Sequence, residues 1–314
     1  MSPTPARILV ANAPVSYGAF ELTVGIDPDV PDAAMVLDEV SAAGYAGIDL
    51  GPIGYLGEGD GLAAALAARD LVLSGGFLEL PFADPSAMPA AIGGLGDLLD
   101  VFDAVSSPAR SAPTSGVQPK PTLADAGSDL RRARPCQSAR DRSLGFDAEG
   151  WKRFASGVEM AVACCRERGY EATLHHETGT HIEAPWEIAK ALELTSIGLC
   201  LDTGHLLLGG GDPLRALREW QDRINHVHLK DARQAVVDEI VREAAPVAEI
   251  WRRQAFCRLG EGDIDVDTVL ERLRERYSGW LVVEQDVLPD PERASGRPAM
   301  DQRANREFLA TRGF

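Results

Sequence analysis

Short apolar segments alternate with helical segments along almost the whole chain, and this alternation is the feature that most restricts the fold. Apolar runs of strand length recur at 8–12, 46–50, 71–80, 121–127, 171–177, 196–202, 224–230 and 279–285. Alternating strands and helices favour a parallel sheet. Eight such units in 314 residues predict a single α/β domain over residues 1–314, folded as a closed (β/α)8 barrel. An open doubly wound sheet is less favoured, since NAPVSYG stands where its glycine-rich nucleotide loop would follow the first strand.

Helical segments are predicted between the strands, and one stretch interrupts the pattern. The helices are expected at 31–43, 60–70, 86–101, 148–169, 184–194, from about 212, 235–252, 265–277 and 299–311. The stretch 105–143 is rich in Pro, Ser and Arg, and is expected to be an irregular insertion with one plausible strand, PTLADAG. Its arginine cluster, 131-RRARPCQSAR-140, has two interpretations. It could bind an anion, but an exposed or mobile loop is favoured.

Composition restricts the class of partner and the compartment. The formal net charge of −17 argues against a nucleic-acid partner, because such binding depends on Lys and Arg neutralising phosphates. The five cysteines are odd in number and show no CxxC spacing, which favours reduced thiols and a cytoplasmic location. No apolar signal core or membrane-length run is present in the sequence, so a membrane partner is not expected.

Four consecutive predicted strands end in a residue that can bind a metal ion. These residues are Glu177, Asp202, His228 and Glu284. Functional groups of a (β/α)8 barrel come from the carboxyl ends of its strands, so the four side chains are expected to meet. Each alone could simply cap the next helix. Together they predict an oxygen-rich site for one divalent metal ion (Mn²⁺, Co²⁺, Mg²⁺ or Zn²⁺).

Four residues near these strand ends are candidates for catalysis. Glu183 lies six residues after the first metal-ligand candidate, and is interpreted either as a charge at a helix N-terminus or as a general acid or base. His205 is expected just above the mouth of the barrel, with a solvent-facing loop histidine as the alternative. Lys230 could neutralise charge on a substrate oxygen, or be a solvated charge at the rim. Glu284 is a candidate for proton transfer as well as for metal binding.

A further set is assigned to substrate binding. His181 lies in the loop after the fifth strand, where a surface position is the alternative. His226 lies one layer below a strand end, where a hydrogen-bonded core position is the alternative, and the same core position is expected for His175. Asp49 and Glu79, near the ends of the second and third strands, complete the predicted substrate-binding set.

Six motifs together resemble the xylose-isomerase-like (β/α)8 superfamily of sugar isomerases and epimerases. They are NAPVSYGAFE, HHETGTHIE, GLCLDTGH, HVHLKD, GEGDID and GWLVVEQD, and they are most similar to the branch that contains inosose (2-keto-myo-inositol) dehydratase. The resemblance implies one divalent metal ion held by Glu177, Asp202, His228 and Glu284. It also implies that Glu183 matches the second catalytic glutamate of the family and His205 the histidine of its DxxH element.

The resemblance implies a metal-dependent isomerase, epimerase or carbon–oxygen lyase acting on a small keto-sugar or cyclitol, and members are often homo-oligomers. A carboxylate would remove the proton next to a carbonyl, giving an enediolate stabilised by the metal. Epimerisation, isomerisation or dehydration would follow, and inosose dehydration is one specific alternative. An abasic-site phosphodiesterase is less favoured, since no histidine precedes residue 175. A non-catalytic sugar-binding barrel is less favoured because the predicted metal set is intact.

Overall fold

Eight parallel strands close into a barrel, in agreement with the fold predicted from the sequence. The structure is a computed structural model that describes residues 7–106, 117–289 and 296–314. The barrel strands are β1 (Ile8–Asn12), β2 (Gly47–Asp49), β3 (Val72–Leu80), β4 (Lys120–Asp125), β5 (Thr173–His175), β6 (Gly198–Asp202), β7 (Ile224–Leu229) and β10 (Gly279–Val283). Around the barrel they follow the order β1-β10-β7-β6-β5-β4-β3-β2. The first and last strands pair in parallel, from Ile8 opposite Gly279 to Asn12 opposite Val283, and so close the barrel.

Helices surround the barrel and bury its outer face. They are α1 (Ala33–Ala43), α2 (Gly59–Ala67), α3 (Met88–Ser106), α4 (Asp129–Ala133), α5 (Ala148–Glu167), α6 (Pro185–Leu194), α7 (Thr203–Leu208), α8 (Pro213–Glu219), α9 (Gln234–Glu243), α10 (Ala248–Arg252), α11 (Val266–Arg276) and α12 (Arg297–Ala310). Helix α5 starts where the Asp147 carboxylate accepts the N–H of Gly150 at 2.7 Å. Its Gly157 permits close packing, since a Cβ there would lie 2.2 Å from the carbonyl oxygen of Phe82. No helix in the described part of the chain is long and apolar enough to span a membrane.

The segment between β7 and α11 differs from the prediction of one helix at 235–252. The chain forms two helices there, because Ala244 adopts a left-handed conformation at φ 51° and a proline follows two residues later. A two-stranded antiparallel sheet of β8 (Asp231–Ala232) and β9 (Phe256–Cys257) brackets both helices. The Asp231 carboxylate accepts the backbone N–H groups of Gly260, Gly262 and Ile264, which explains the GEGDID motif as a turn around a buried anion.

The expectation of an exposed arginine loop is wrong for Arg131. This side chain is fully buried, and its guanidinium donates to Glu187 Oε1 at 2.9 Å and to Glu183 Oε2 at 3.1 Å. The strand predicted at 121–127 is present as β4. Residues 107–116 of the predicted insertion lie outside the described residues.

Candidate active site

A cavity of about 470 Å³ opens at the carboxyl ends of the barrel strands. Six of the predicted site residues line it: Asp49, Glu79, Glu177, His228, Lys230 and Glu284. Four further ionisable residues that were not assigned to the site, Glu21, Arg132, His175 and Asp286, also line it. His175 and Asp286 each lie two residues from a predicted ligand, so the side-chain period of a strand could have placed them on the same face. Glu21 lies in a loop and carries no such signal.

Asp202, His228 and Glu284 form a buried group of potential metal ligands. One ligand atom of each lies within 4.8 Å of the others. His228 Nδ1 is 3.0 Å from Glu284 Oε2. Asp202 uses Oδ1 to accept the N–H of His205 at 2.8 Å, as the cap of α7, whereas its Oδ2 points towards the cationic side chain of Lys230 at 3.1 Å. Capping and metal binding are therefore compatible, and the donor set of two carboxylates and one imidazole fits a divalent cation.

Two other groups of potential ligands share His228. One adds Asp49 and His226, and the other adds His175 and Cys200. Both ring nitrogens of His228 are buried; Nδ1 faces Glu284 Oε2, and Nε2 has no hydrogen-bond partner among the described residues. His228 is therefore the common element of every potential metal group found in the part of the chain that the structure describes.

Lys230 is a buried cation enclosed by three carboxylates. Its Nζ lies 3.1 Å from Asp202 Oδ2, 2.9 Å from Glu284 Oε2 and 3.0 Å from Asp286 Oδ1. Burial opposes the charge on the ammonium, but these carboxylates outweigh burial and raise the pKa of Lys230 well above its ordinary value. The lysine is therefore charged at neutral pH, so the solvated rim position considered from sequence is wrong.

Two histidines fix the carboxylate of Glu177. His205 Nε2 lies 3.1 Å from Oε1, and His175 Nδ1 lies 3.2 Å from Oε2. Burial alone would raise the pKa of Glu177, but the field of His205 and the hydrogen bond from His175 lower it to about 2. Burial likewise opposes the charge on His175, yet its bonds to Asp202 and Glu177 raise its pKa to about 9. The metal groups found among the described residues do not include Glu177, so its predicted role as a ligand stays a prediction.

Three acidic residues form the opposite wall of the cavity. Glu79 ends β3, which lies across the barrel from β7, and Asp49 ends β2, which lies across from β6. Partial desolvation and neighbouring carboxylates raise the pKa of Glu79 and of Glu21 to about 7, and burial raises that of Asp49 to about 6. The cavity therefore combines an ionised carboxylate, Glu177, with carboxyl groups whose pKa is raised towards neutral pH.

Glu183 does not line the cavity. Both of its oxygens are engaged, since Oε1 accepts the N–H groups of Cys136 and Gly179, and Oε2 pairs with Arg131. Burial raises the pKa of Glu183, against the opposing effect of Arg131. These contacts hold the loop after β5 against the segment that carries Arg131, and the predicted proton-transfer role of Glu183 stays a prediction.

The other predicted residues lie behind the cavity wall. His181 Nδ1 is 2.8 Å from Asp125 Oδ1, and its ring stacks on Phe146 at 4.2 Å between ring centroids. His226 is fully buried and does not line the cavity, so neither histidine is brought to a position for direct substrate binding. His205 is also absent from the cavity lining, and it contacts Glu177 through Nε2 and Thr178 Oγ1 through Nδ1, at 2.8 Å.

Comparison with known proteins identifies the family. The family described as "Xylose isomerase-like TIM barrel" matches residues 123–309, more than half of the chain. The chain belongs to this family. The match includes β5, β6, β7 and β10, which carry the predicted metal ligands, and so confirms the resemblance seen in the sequence motifs.

Curated relatives in this family are named inosose dehydratase. The relative from Clostridium tetani is 38% identical over 154 residues, which is 48% of this chain and 51% of that protein. The relative from Lacticaseibacillus casei is 34% identical over 163 residues, or 51% of this chain and 54% of that protein. The chain spans about half the length of the curated relatives it matches.

Solved structures share the fold at low sequence identity. D-allulose 3-epimerase from Methylomonas sp. is 13% identical, with a TM-score of 0.64 over 98% of this chain and 99% of that chain. The probable 3-DHS dehydratase of Bacillus anthracis, involved in petrobactin synthesis, is 12% identical, with a TM-score of 0.63 over 97% of this chain and 100% of that chain. These similarities establish the fold.

Proposed function

We propose that this protein is a dehydratase for a cyclic polyhydroxylated ketone of the inosose class. The observation that carries the proposal is the cavity lined by His228 and Glu284, with Asp202 in contact behind them, which faces carboxyl groups whose pKa is raised. The inosose dehydratase name of the curated relatives supports the substrate class.

Asp202, His228 and Glu284 are the residues that would hold a divalent cation. Bound there, the cation would polarise the carbonyl oxygen of the substrate and lower the pKa of the adjacent C–H bond. The low pKa of Glu177 keeps its carboxylate ionised, which is the form that accepts the C–H proton. His175 and His205 fix that carboxylate in position and act as positioning residues.

Loss of a β-hydroxyl requires a proton donor, and Glu79 is the residue assigned to that step. With a pKa of about 7, its carboxyl group holds a proton through the acidic range and up to neutral pH. The proton passes to the departing hydroxyl as the C–O bond breaks, so water leaves and a carbon–carbon double bond conjugated to the carbonyl forms. The electron pair of that double bond comes from the C–H bond broken by Glu177.

The charges of the cavity favour a neutral polyol over a phosphorylated sugar. Glu21, Asp49 and Glu79 line one side, and the two cations of the lining are already paired: Lys230 is surrounded by carboxylates, and Arg132 contacts Asp129 at 3.0 Å. Carboxyl and carboxylate oxygens accept hydrogen bonds from hydroxyl groups, whereas a phosphate dianion would meet like charge.

The proposal is tested by NMR in D₂O with a panel of inososes and ketohexoses, each incubated with Mn²⁺-loaded protein. We expect an inosose to lose water and to exchange the proton next to its carbonyl. Exchange with a change of configuration and no loss of water would identify an epimerase instead. Absence of exchange and of turnover with every compound would contradict the proposal.

A further inference from the structure

The ammonium group of Lys230 lies at the same oxygens that a divalent cation would use. Its Nζ is 3.1 Å from Asp202 Oδ2 and 2.9 Å from Glu284 Oε2. That Glu284 oxygen is also 3.0 Å from Nδ1 of His228, the third member of the donor group. A divalent cation binds its oxygen ligands at about 2.0–2.6 Å, so a cation on these oxygens would bring a second positive charge close to the ammonium and compete with it.

A third carboxylate gives the lysine a partner outside the donor group. Asp286 Oδ1 lies 3.0 Å from Nζ, and Asp286 belongs to none of the metal groups found among the described residues. The ring of Phe256 lies 5.2 Å from Nζ, within the range of a cation–π contact. Because burying an unpaired ammonium is costly, these two contacts would keep Lys230 paired if it left Asp202 and Glu284.

We propose that Lys230 is an internal counter-ion, displaced from Asp202 and Glu284 by the divalent cation and then retained by Asp286 at the cavity wall. The proposal rests on the cation site of the proposed function. In the metal-free protein the ammonium neutralises carboxylates that would otherwise repel one another. In the cation-bound protein the same ammonium can contact a substrate oxygen. Lys230 therefore has a role both without and with the cation.

Lys230 therefore lowers the affinity for the cation, and its removal is the direct test. Isothermal titration of Mn²⁺ into the metal-free protein is compared with the same titration of Lys230→Met and Lys120→Met. We expect Lys230→Met to bind Mn²⁺ at least about tenfold more tightly, because a competing positive charge at contact distance is gone. Lys120→Met removes the same charge at the amino end of β4, where Lys120 pairs with Glu171, and should bind as the unmodified protein does.

Thermal unfolding gives a second measurement that does not depend on turnover. Without the lysine the carboxylates repel one another, so metal-free Lys230→Met should unfold at a lower temperature than the unmodified protein. Addition of Mn²⁺ should raise the unfolding temperature of Lys230→Met by more than it raises that of the unmodified protein. Equal or weaker Mn²⁺ binding by Lys230→Met would overturn the displacement while leaving the cation site in place. Absence of Mn²⁺ binding by all three proteins would overturn the cation site of the proposed function and the displacement with it.

Discussion

Single residues in the cavity differ in charge state because their surroundings differ, although most of them are carboxylic acids. Glu177 lies between two histidines, which lower its pKa to about 2. Among the described residues, Glu79 has no such pair of histidines beside it, and its pKa is about 7. The sequence predicted which strand ends would contribute, because strand direction alone decides that. It could not predict protonation, since protonation depends on neighbours such as His205, which comes from helix α7 after a different strand.

Replacing Glu79 by glutamine is expected to separate the two halves of the reaction. Glu79→Gln lacks the acid for the departing hydroxyl, so dehydration should fall by at least about a hundredfold. Exchange of the proton next to the carbonyl in D₂O depends on Glu177 and should persist. Glu21→Gln, a change to the same cavity wall, serves as the matched control. Equal rates of dehydration in Glu79→Gln and in the unmodified protein would contradict the assignment.

The rate of dehydration should also depend on pH. The pKa of Glu79 is raised from 4.5 to about 7, so the donor form predominates below that value and is lost as the pH rises through it. The rate at saturating substrate should therefore fall on the alkaline side of about pH 7, while the exchange rate in D₂O should not fall with it. A pH profile of both rates on the same samples checks this. A parallel decline of the dehydration and exchange rates would contradict the role of Glu79 as the proton donor.

At the scale of elements, the insertion before α5 and the loop after β5 are joined by a buried ionic cluster. Arg131 of α4 contacts Glu183 and Glu187, and Ser138 donates to the same two carboxylates. The sequence showed a glutamate six residues after Glu177 and an arginine cluster, but their pairing spans 52 residues and leaves no local pattern. Without a local pattern, the sequence predicts neither the burial of Arg131 nor its contact with Glu183.

Removing the arginine should destabilise the protein more than neutralising one of its partners. Arg131→Met leaves two buried carboxylates without a counter-charge, for which we expect a loss of about 3–5 kcal/mol in the free energy of unfolding. Glu183→Gln leaves the ion pair between Arg131 and Glu187 intact, so its loss of stability should be smaller. Its proton exchange in D₂O should stay within about tenfold of the unmodified rate, because Glu183 does not line the cavity. Urea unfolding and NMR exchange measure the two effects. A large loss of exchange in a stably folded Glu183→Gln would support its predicted catalytic role.

At the scale of the whole molecule, the alternating pattern predicted the closed barrel, including β4, because each strand–helix unit carries its own signal. The small sheet of β8 and β9 was missed, since two strands of two residues each are too short to produce a periodic pattern. The proposed cation would connect β6, β7 and the end of β10, three neighbours in the barrel. Its binding should therefore stabilise the fold as a unit.

Removal of the cation is expected to lower the unfolding temperature of the entire domain. Mn²⁺ at a hundred times its dissociation constant should add about 2.7 kcal/mol to the free energy of unfolding, and a chelator should reverse the gain. Calorimetric scans with Mn²⁺, with chelator and after restoration of Mn²⁺ measure this. His228→Gln is the control that should show no gain, and a gain of the same size in that variant would place the stabilising ion elsewhere.

The buried cluster around Arg131 has a consequence for recombining this barrel with its relatives. A chimera with a crossover between residues 131 and 183 takes the arginine from one parent and the glutamates from the other. Unless both parents carry the same pairing, such a hybrid encloses an unmatched charge in its interior. Residues 129–187 are therefore best exchanged as one block, and libraries that respect this boundary should contain more folded members than libraries that divide it.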